Sequence, residues 1–270
     1  IICDHGQVYL LGETTSEVWA DQGTFPFAFQ RIPGSSSQHG IAAQFSVARL
    51  GNSFAYLAKN NRGQSEIVMM NGYFPQRIST HAVENTLVDQ VVSDAIAYTY
   101  QLEGHEIYVI SFPTLDLTWA YDLATGLWHK WLWTDTHNNY HRHRSNCQAF
   151  FQNVNLVGDW QNGNLYFIDQ DNYTDNGQSI SRVRSFYHME DDGANRVRYR
   201  SLILEMESGN GANYQDIPVS LIWSDDRGKS YGNPVMQSIG KEGEYIASLQ
   251  WNRLGMARDR VFEVSWSSPV

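Results

Sequence analysis

The stretch NGYFPQRISTHAVE, residues 71–84, places Arg77, Ser79, His81 and Glu84 close together. A hydroxyl, an imidazole and a carboxylate at this spacing are the ingredients of general acid–base or nucleophilic chemistry. The same residues also suit a structural joint. In that reading Ser79 or Thr80 caps a short helix, while Arg77, His81 and Glu84 fix it by hydrogen bonds and ion pairing. His81-x-x-Glu84 lacks the second histidine of a zinc-protease helix, so the pair alone carries no metal chemistry. The joint, within a subunit or at a subunit interface, is the expected role of Arg77, Ser79, His81 and Glu84.

No other grouping supplies a catalytic set. His137, His141 and His143 lie in TDTHNNYHRHR, near His129, at spacings that could ligate zinc. No adjacent cysteine or carboxylate pair completes such a site, and the segment reads as a solvated loop. SDDRGKSY (224–231) resembles the Asp box that closes hairpins on propeller blades, a turn-shaping motif without chemistry. A glycosidase would need paired carboxylates at a fixed separation, and no such grouping is evident. GSSSQHG (34–40) reads as a flexible loop rather than a phosphate cradle, and the nucleophile-elbow and dinucleotide patterns are absent. No catalytic residue, metal ligand set or cofactor site is therefore expected.

The elements that must position the joint are strands. GQVYLLG (6–12), NSFAYLAK (52–59), GHEIYVISF (104–112) and VNLVGDW (154–160) alternate, and their anchors Tyr9, Tyr56, Tyr108 and Leu156 recur about every fifty residues. Each is followed by a second strand: SEVWA, SEIVMMNG, LTWAYDLATG and GNLYFID. Asn71-Gly72 and Asn162-Gly163 suit tight turns at positive φ. Short strands repeating at this period are the signature of β-propeller blades. STHAVENTLVDQV (79–91) interrupts them as a short helix with Ala82, Val83, Leu87 and Val91 on one side. After about residue 178 the repeat is lost. VRYRSLILEME (197–207), VSLIWSDD (219–226), YIASLQWNRLG (245–255) and RVFEVSWS (260–267) read as long strands, with Gly-rich connections such as 208–216. The fold expected is all-β: propeller-like blades over 1–178, then an antiparallel β-sandwich or modified blades over 179–270.

Composition agrees. The chain has 270 residues, 42% hydrophobic and 13% aromatic, enough for a large β-rich core. Its 29 acids against 19 bases give a net charge of −10, which disfavours gripping nucleic acid over the whole surface. RVRSFY (182–187) and NRVRYR (195–200) are locally basic, with arginines expected to alternate out to solvent. Two cysteines make no disulfide framework. No apolar run approaches a membrane span. The opening IICDHG, without Met and already strand-like, is expected of a fragment of a longer chain.

Specific strings narrow the reading. FPFAFQRIPG (25–34), NRGQSEIVMMNGYFPQRISTHAVE (61–84), SDAIAYTYQLEGHEIYVISFPTLDLTWAYDLATGLWHKW (93–131), HRHRSNC (141–147), LVGDWQNGNLY (156–166) and the WSDDRGKSY to RDRVFEVS region (223–265) resemble, in order, the packaged-DNA stabilization proteins. These are tail accessory or tail-hub factors of short-tailed phages. The resemblance implies a non-enzymatic component of the virion tail, assembled in the host bacterial cytoplasm. It also implies a six-fold homo-oligomeric ring below the portal and its adaptor, helping to close the channel and docking tailspike and tail needle. No membrane is involved, and DNA is expected only as passing cargo, repelled by the acidic excess. The alternative expectation is a carbohydrate-binding or sialidase-like propeller.

Overall fold

The computed structural model describes residues 1–267 apart from 61, 138, 194 and 210–216, so most of the Gly-rich connection at 208–216 lies outside the described residues. The chain forms two compact units, Ile1–Asp169 and Gln170–Val270.

The first unit is built from four antiparallel sheets in chain order. Sheet 1 runs Ile2–Asp4, Gln7–Leu11, Ser16–Asp21, Phe29–Arg31. Sheet 2 places His39–Ile41 and Ala48–Leu50 on Ser53–Asn60, followed by Ser65–Asn71 and Phe74–Arg77. Sheet 3 runs Ile96–Leu102, His105–Phe112, Leu117–Asp122, Leu127–Lys130, and sheet 4 runs Ser145–Phe151, Val154–Asp159, Leu165–Phe167. A small hairpin, Leu132–Thr134 with Tyr140–Arg142, stands between sheets 3 and 4. Several strand pairs are joined by two-residue turns with both residues at positive φ, such as His5-Gly6 (48° and 72°) and Glu103-Gly104 (48° and 83°). This geometry matches the twist of the flanking strands. Gly72 also has positive φ, whereas Asn162-Gly163 does not form the expected tight turn. There the chain takes a wider bend from Trp160 to Asn164, held by Asp159 Oδ1 accepting from the Gln161 N–H at 2.7 Å.

The sheets bury their faces against one another. Tyr9 and Val18 meet Phe54, Tyr56, Val68 and Met70. The other side of sheet 2, with Leu50, Ala55, Leu57 and Ile67, meets Tyr108, Ile110 and Phe112. Tyr98, Tyr100, Val109 and Ala120 of sheet 3 meet Val157 of sheet 4. Phe54 to Ala58 are all 0% exposed, because both faces of their strand are covered. The repeat anchors drift by one residue at its ends. Tyr56 and Tyr108 face the preceding sheet, but Tyr9 faces the following one, and Val157 rather than Leu156 packs backward. Alternation fixes the period of a strand and not its phase when both faces are apolar.

Two connections differ from expectation. The 34–40 segment is not a flexible loop. Ser35 and Ser37 are buried, Ser35 Oγ bonds the Val18 backbone at 3.2 Å, and Ser37 exchanges backbone bonds with Ser16 at 2.8 and 3.0 Å. Gly40 is required there, since a Cβ would lie 2.1 Å from the Glu13 carbonyl oxygen. The helix covers only His81–Asn85, with Val83 and Leu87 buried but Ala82 and Val91 exposed. It ends in short turns leading to Asp89 at φ 56°, so the extended helical stripe does not form.

The second unit is a sandwich. One sheet has the order Arg182–Ser185, Asp259–Trp266, Pro218–Ser224, Val235–Ser238, with Met189–Glu190 also on Asp259–Trp266. Facing it are ribbons pairing Val197–Arg198 with Met256–Ala257 and Ser201–Leu204 with Leu249–Asn252. The expected long strands 197–207 and 245–255 are thus shorter and interrupted. Val219, Leu221, Trp251, Phe262 and Val264 form the core. Arg260, 2% exposed, is bound by both oxygens of Asp225 at 2.6 and 2.8 Å and lies over Tyr199, Trp223 and Phe262. The guanidinium is stabilised by a bidentate partner and by the negative faces of the rings.

Replacing Phe112 by Ala should cost about 3–5 kcal/mol in chemical denaturation, while Phe74→Ala, at an exposed site on sheet 2, should stay within about 0.5 kcal/mol. Equal effects would show that the sheet-on-sheet contact does not bear the stability.

Candidate functional site

The residues singled out in the sequence converge on one polar joint. Glu84 Oε1 accepts from Ser79 Oγ at 2.6 Å, and its two oxygens accept from Arg77 Nε at 2.6 Å and Nη2 at 2.7 Å. His81 is nearly fully exposed and stands 3.9 Å from Glu84, at the margin of an ion pair. Ser79, 7% exposed, also accepts from the Ile67 backbone N–H at 3.1 Å, so its hydroxyl ties the helix entry to a central strand of sheet 2. Thr80, at the N-cap, makes no side-chain cap bond.

Two tryptophans complete the joint from sheet 3. Trp128 Nε1 donates to the Ile78 carbonyl at 2.8 Å, and Trp119 Nε1 donates to Thr86 Oγ1 at 3.2 Å. Segment 78–87 therefore bonds to sheet 2 through Ser79 and to sheet 3 through indole N–H groups, while Val83 and Leu87 fill the core between them. Ser79 and Trp128 hold backbone and Arg77 holds Glu84, so the carboxylate that the Ser79 hydroxyl meets is already paired with a guanidinium. The geometry is that of a bolt. The indoles were missed in the sequence because their partners lie 33 and 50 residues away.

A second polar cluster lies along the hairpin 132–142. His141 and His143 are not in a solvated loop. His141 Nδ1 donates to Asp116 at 2.7 Å, Nε2 stands 3.5 Å from Asp135, and the ring packs on Trp133. Arg144, 4% exposed, pairs with Asp159 at 2.9 Å and lies 3.9 Å over Trp133, while Arg142 lies 4.3 Å over Trp160. His143 packs on Trp131 and bonds Ser145 Oγ at 2.6 Å. Only His137 stands well out in solvent, at 83% side-chain exposure. The cations and rings alternate as a ladder, hinted at by HRHR close to the tryptophans of WLW. Among the described residues no group of His, Cys, Asp and Glu is arranged to hold a metal ion.

The two histidines titrate in opposite senses. The hydrogen bond to Asp116, with Asp135 adding to it, raises His141 above its ordinary value against some desolvation. Desolvation pushes His143 down to about 4, with Arg144 adding to the effect and Asp159 opposing it. In the Asp box, Asp226 accepts from the Ser224 and Ser230 hydroxyls at 2.6 Å and from the backbone of Ser230 and Lys229 at 2.8 and 3.0 Å. These bonds hold its carboxyl well below the usual range and close a hairpin turn.

Ser79→Ala should cost about 1–3 kcal/mol, because it leaves the Ile67 N–H without its acceptor. Arg77→Ala, at a half-exposed pair, should cost only about 0.2–1 kcal/mol; the reverse ranking in urea titrations would contradict the bolt. For His143, the unfolded chain takes a proton near about 6.5 while the folded state stays neutral to lower pH. Its stabilisation is complete above that value and is lost as pH falls toward 4. His141 acts oppositely: its contribution is complete below about 6.5 and lost as pH rises through its raised value. Denaturation midpoints should therefore fall less between pH 6.5 and 4 in His143→Gln than in the unaltered chain.

Comparisons with known proteins bear on both units. Residues 1–173 match the family model described as bacteriophage P22 Gp10, beta-propeller, and residues 183–270 match bacteriophage P22 Gp10, beta-sandwich. No curated protein matches the chain. Among solved structures, a glycoside hydrolase family 43 arabinoxylan arabinofuranohydrolase from Bacillus subtilis aligns at 9% identity over 97% of this chain and 65% of its own, with a TM-score of 0.18. The chain thus spans less than two thirds of that protein, and at this score the likeness carries no argument about fold or activity. The two family matches follow one another along nearly the whole chain, which belongs to the bacteriophage P22 Gp10 family of phage tail structural proteins, a propeller followed by a sandwich.

Proposed function

We propose that this protein is a tail hub: a ring component, six copies strong, that assembles below the portal and its adaptor in a short-tailed virion. In this role it helps close the channel after packaging, so that DNA stays in the capsid, and it docks tailspike and tail needle. The observation that carries the reading is the ordered pair of family matches. The joint agrees with a structural role: Arg77, Ser79 and Glu84 are bound to one another and to the Ile67 backbone rather than poised for a reaction. His81, nearly fully exposed beside them, is the joint residue best placed to meet a neighbouring subunit.

Charge fits the same role. At −10 per copy, the protein disfavours adhesion to phosphates over its whole surface. No helix of the described residues is long and apolar enough to cross a membrane. The reading requires no reaction step.

Light scattering and negative-stain imaging of the protein mixed with a portal–adaptor complex test this directly. A six-fold ring capping the portal is expected. A monomer that ignores the portal would overturn the role.

A further inference from the structure

The sandwich unit carries a feature that its acidic chain does not lead one to expect. Val197 and Arg198 pair with Ala257 and Met256, Tyr199 N–H bonds the Gly255 carbonyl at 3.0 Å, and Arg253 N–H bonds the Arg200 carbonyl at 2.8 Å. Val197 and Tyr199 are half-buried and Leu254 and Ala257 buried, so the ribbon has one inward and one outward side. Arg196, Arg198, Arg200, Arg253 and Arg258 are all exposed along it. Among the described residues, none of these five guanidinium groups has an ion-pair or hydrogen-bond partner. Of the carboxylates close by in the chain, Asp259 is engaged by Arg227 at 3.1 Å and His188 at 2.8 Å and Asp191 accepts from Asn195 at 2.9 Å, while Glu190 and Asp192 are exposed.

Like charges placed side by side on a strand pair destabilise it. Arg198 pairs with Met256 rather than with another arginine, so the cost here is the gathering of five cations on one ribbon without an ion-pair partner among the described residues, in a chain with 29 acidic ones. We propose that the outward side of this ribbon is a phosphodiester-binding surface that takes the backbone of the DNA. The proposal rests on the tail-hub reading for the presence of DNA beside the chain. Arg196, Arg198 and Arg200 stand two residues apart through the short strand Val197–Arg198, and a rise of roughly 3.3 Å per extended residue would space neighbours by at most about 6.6 Å. A regular row of cations suits a partner whose charges are also regular and of one sign, as phosphates are. The acids of a folded protein's surface are usually interspersed with bases, and they fit the row less well. The guanidinium fork adds two parallel N–H donors for each phosphate, which an ammonium lacks, and the cluster contains no lysine. With the chain acidic as a whole, contact at this ribbon stays local. It therefore acts as a local, salt-labile hold on DNA that otherwise passes freely.

Fluorescence anisotropy of a labelled 30-base-pair duplex, titrated with the protein across a series of salt concentrations, tests the proposal. The logarithm of the binding constant should fall with the logarithm of salt at a slope of about −4, near 0.9 per phosphate engaged. Combining Arg198→Gln, Arg200→Gln and Arg258→Gln should reduce the slope to about −1 to −2, close to one unit per arginine. Lys229→Gln, outside the ribbon, should leave it unchanged. Should the triple variant melt below the parent, Arg198→Gln and Arg258→Gln alone carry the test, each lowering the slope by about one. Absence of duplex binding at the lowest salt, or binding indifferent to these substitutions, overturns the proposal. So does binding of a labelled poly-glutamate peptide without binding of DNA, which would assign the ribbon to an acidic protein surface instead. Duplex binding with no ring on the portal would sink the tail-hub reading and leave the ribbon standing. A ring with a DNA-indifferent ribbon would do the reverse.

Discussion

A sheet that is apolar on both faces cannot stand alone in water, and this constraint organises the first unit. Sheets 2 and 3 satisfy it because each is covered on both sides, which is why the strand from Phe54 to Ala58 is wholly buried. Stacked apolar faces give most of the strength, and polar contacts across them add direction. Direction comes from a few polar bolts: Ser79 against the Ile67 backbone of sheet 2, and the Trp128 and Trp119 indoles of sheet 3 against segment 78–87. Each bolt satisfies a polar group that the packing would otherwise strand, so stability and register are set together.

The sandwich solves the same problem differently. Its core is closed by two facing layers, and its one deeply buried cation, Arg260, is held by Asp225 and three aromatic rings. The Asp box at 224–231 shows how a motif associated with enzymes acts here as a turn, with Asp226 spending its oxygens on hydroxyls and backbone N–H groups of its own hairpin. The polar groups that bind these turns and joints are committed to structure, whereas among the described residues Arg196, Arg198, Arg200, Arg253 and Arg258 are exposed without an ion-pair partner.

What was legible in the sequence was local or periodic. The strands around Tyr56 and Tyr108, the turn at Gly72 and the grouping of Arg77, Ser79 and Glu84 all announce themselves within a few residues. The phase of the end strands did not, because alternation on a two-faced strand permits either register. The burial of Ser35 and Ser37 depends on Ser16 and Val18, and Gly40 is needed because of Glu13; a Ser-rich stretch alone carries no sign of such partners. Val83 and Leu87 satisfy a helical period, but the helix ends at Asn85 and the turn at Asp89 breaks the stripe before Val91. His141 and His143 read as solvated because the carboxylates and tryptophans that enclose them come from separate strands and turns.

In the proposed role, the propeller and the sandwich help retain a packaged genome. The most direct measurement is DNA retention by capsids packaged without this protein and then completed with it, read as nuclease-accessible DNA over time. The account predicts that particles left incomplete lose DNA to the nuclease while completed particles protect it. Equal protection with and without the protein would contradict it.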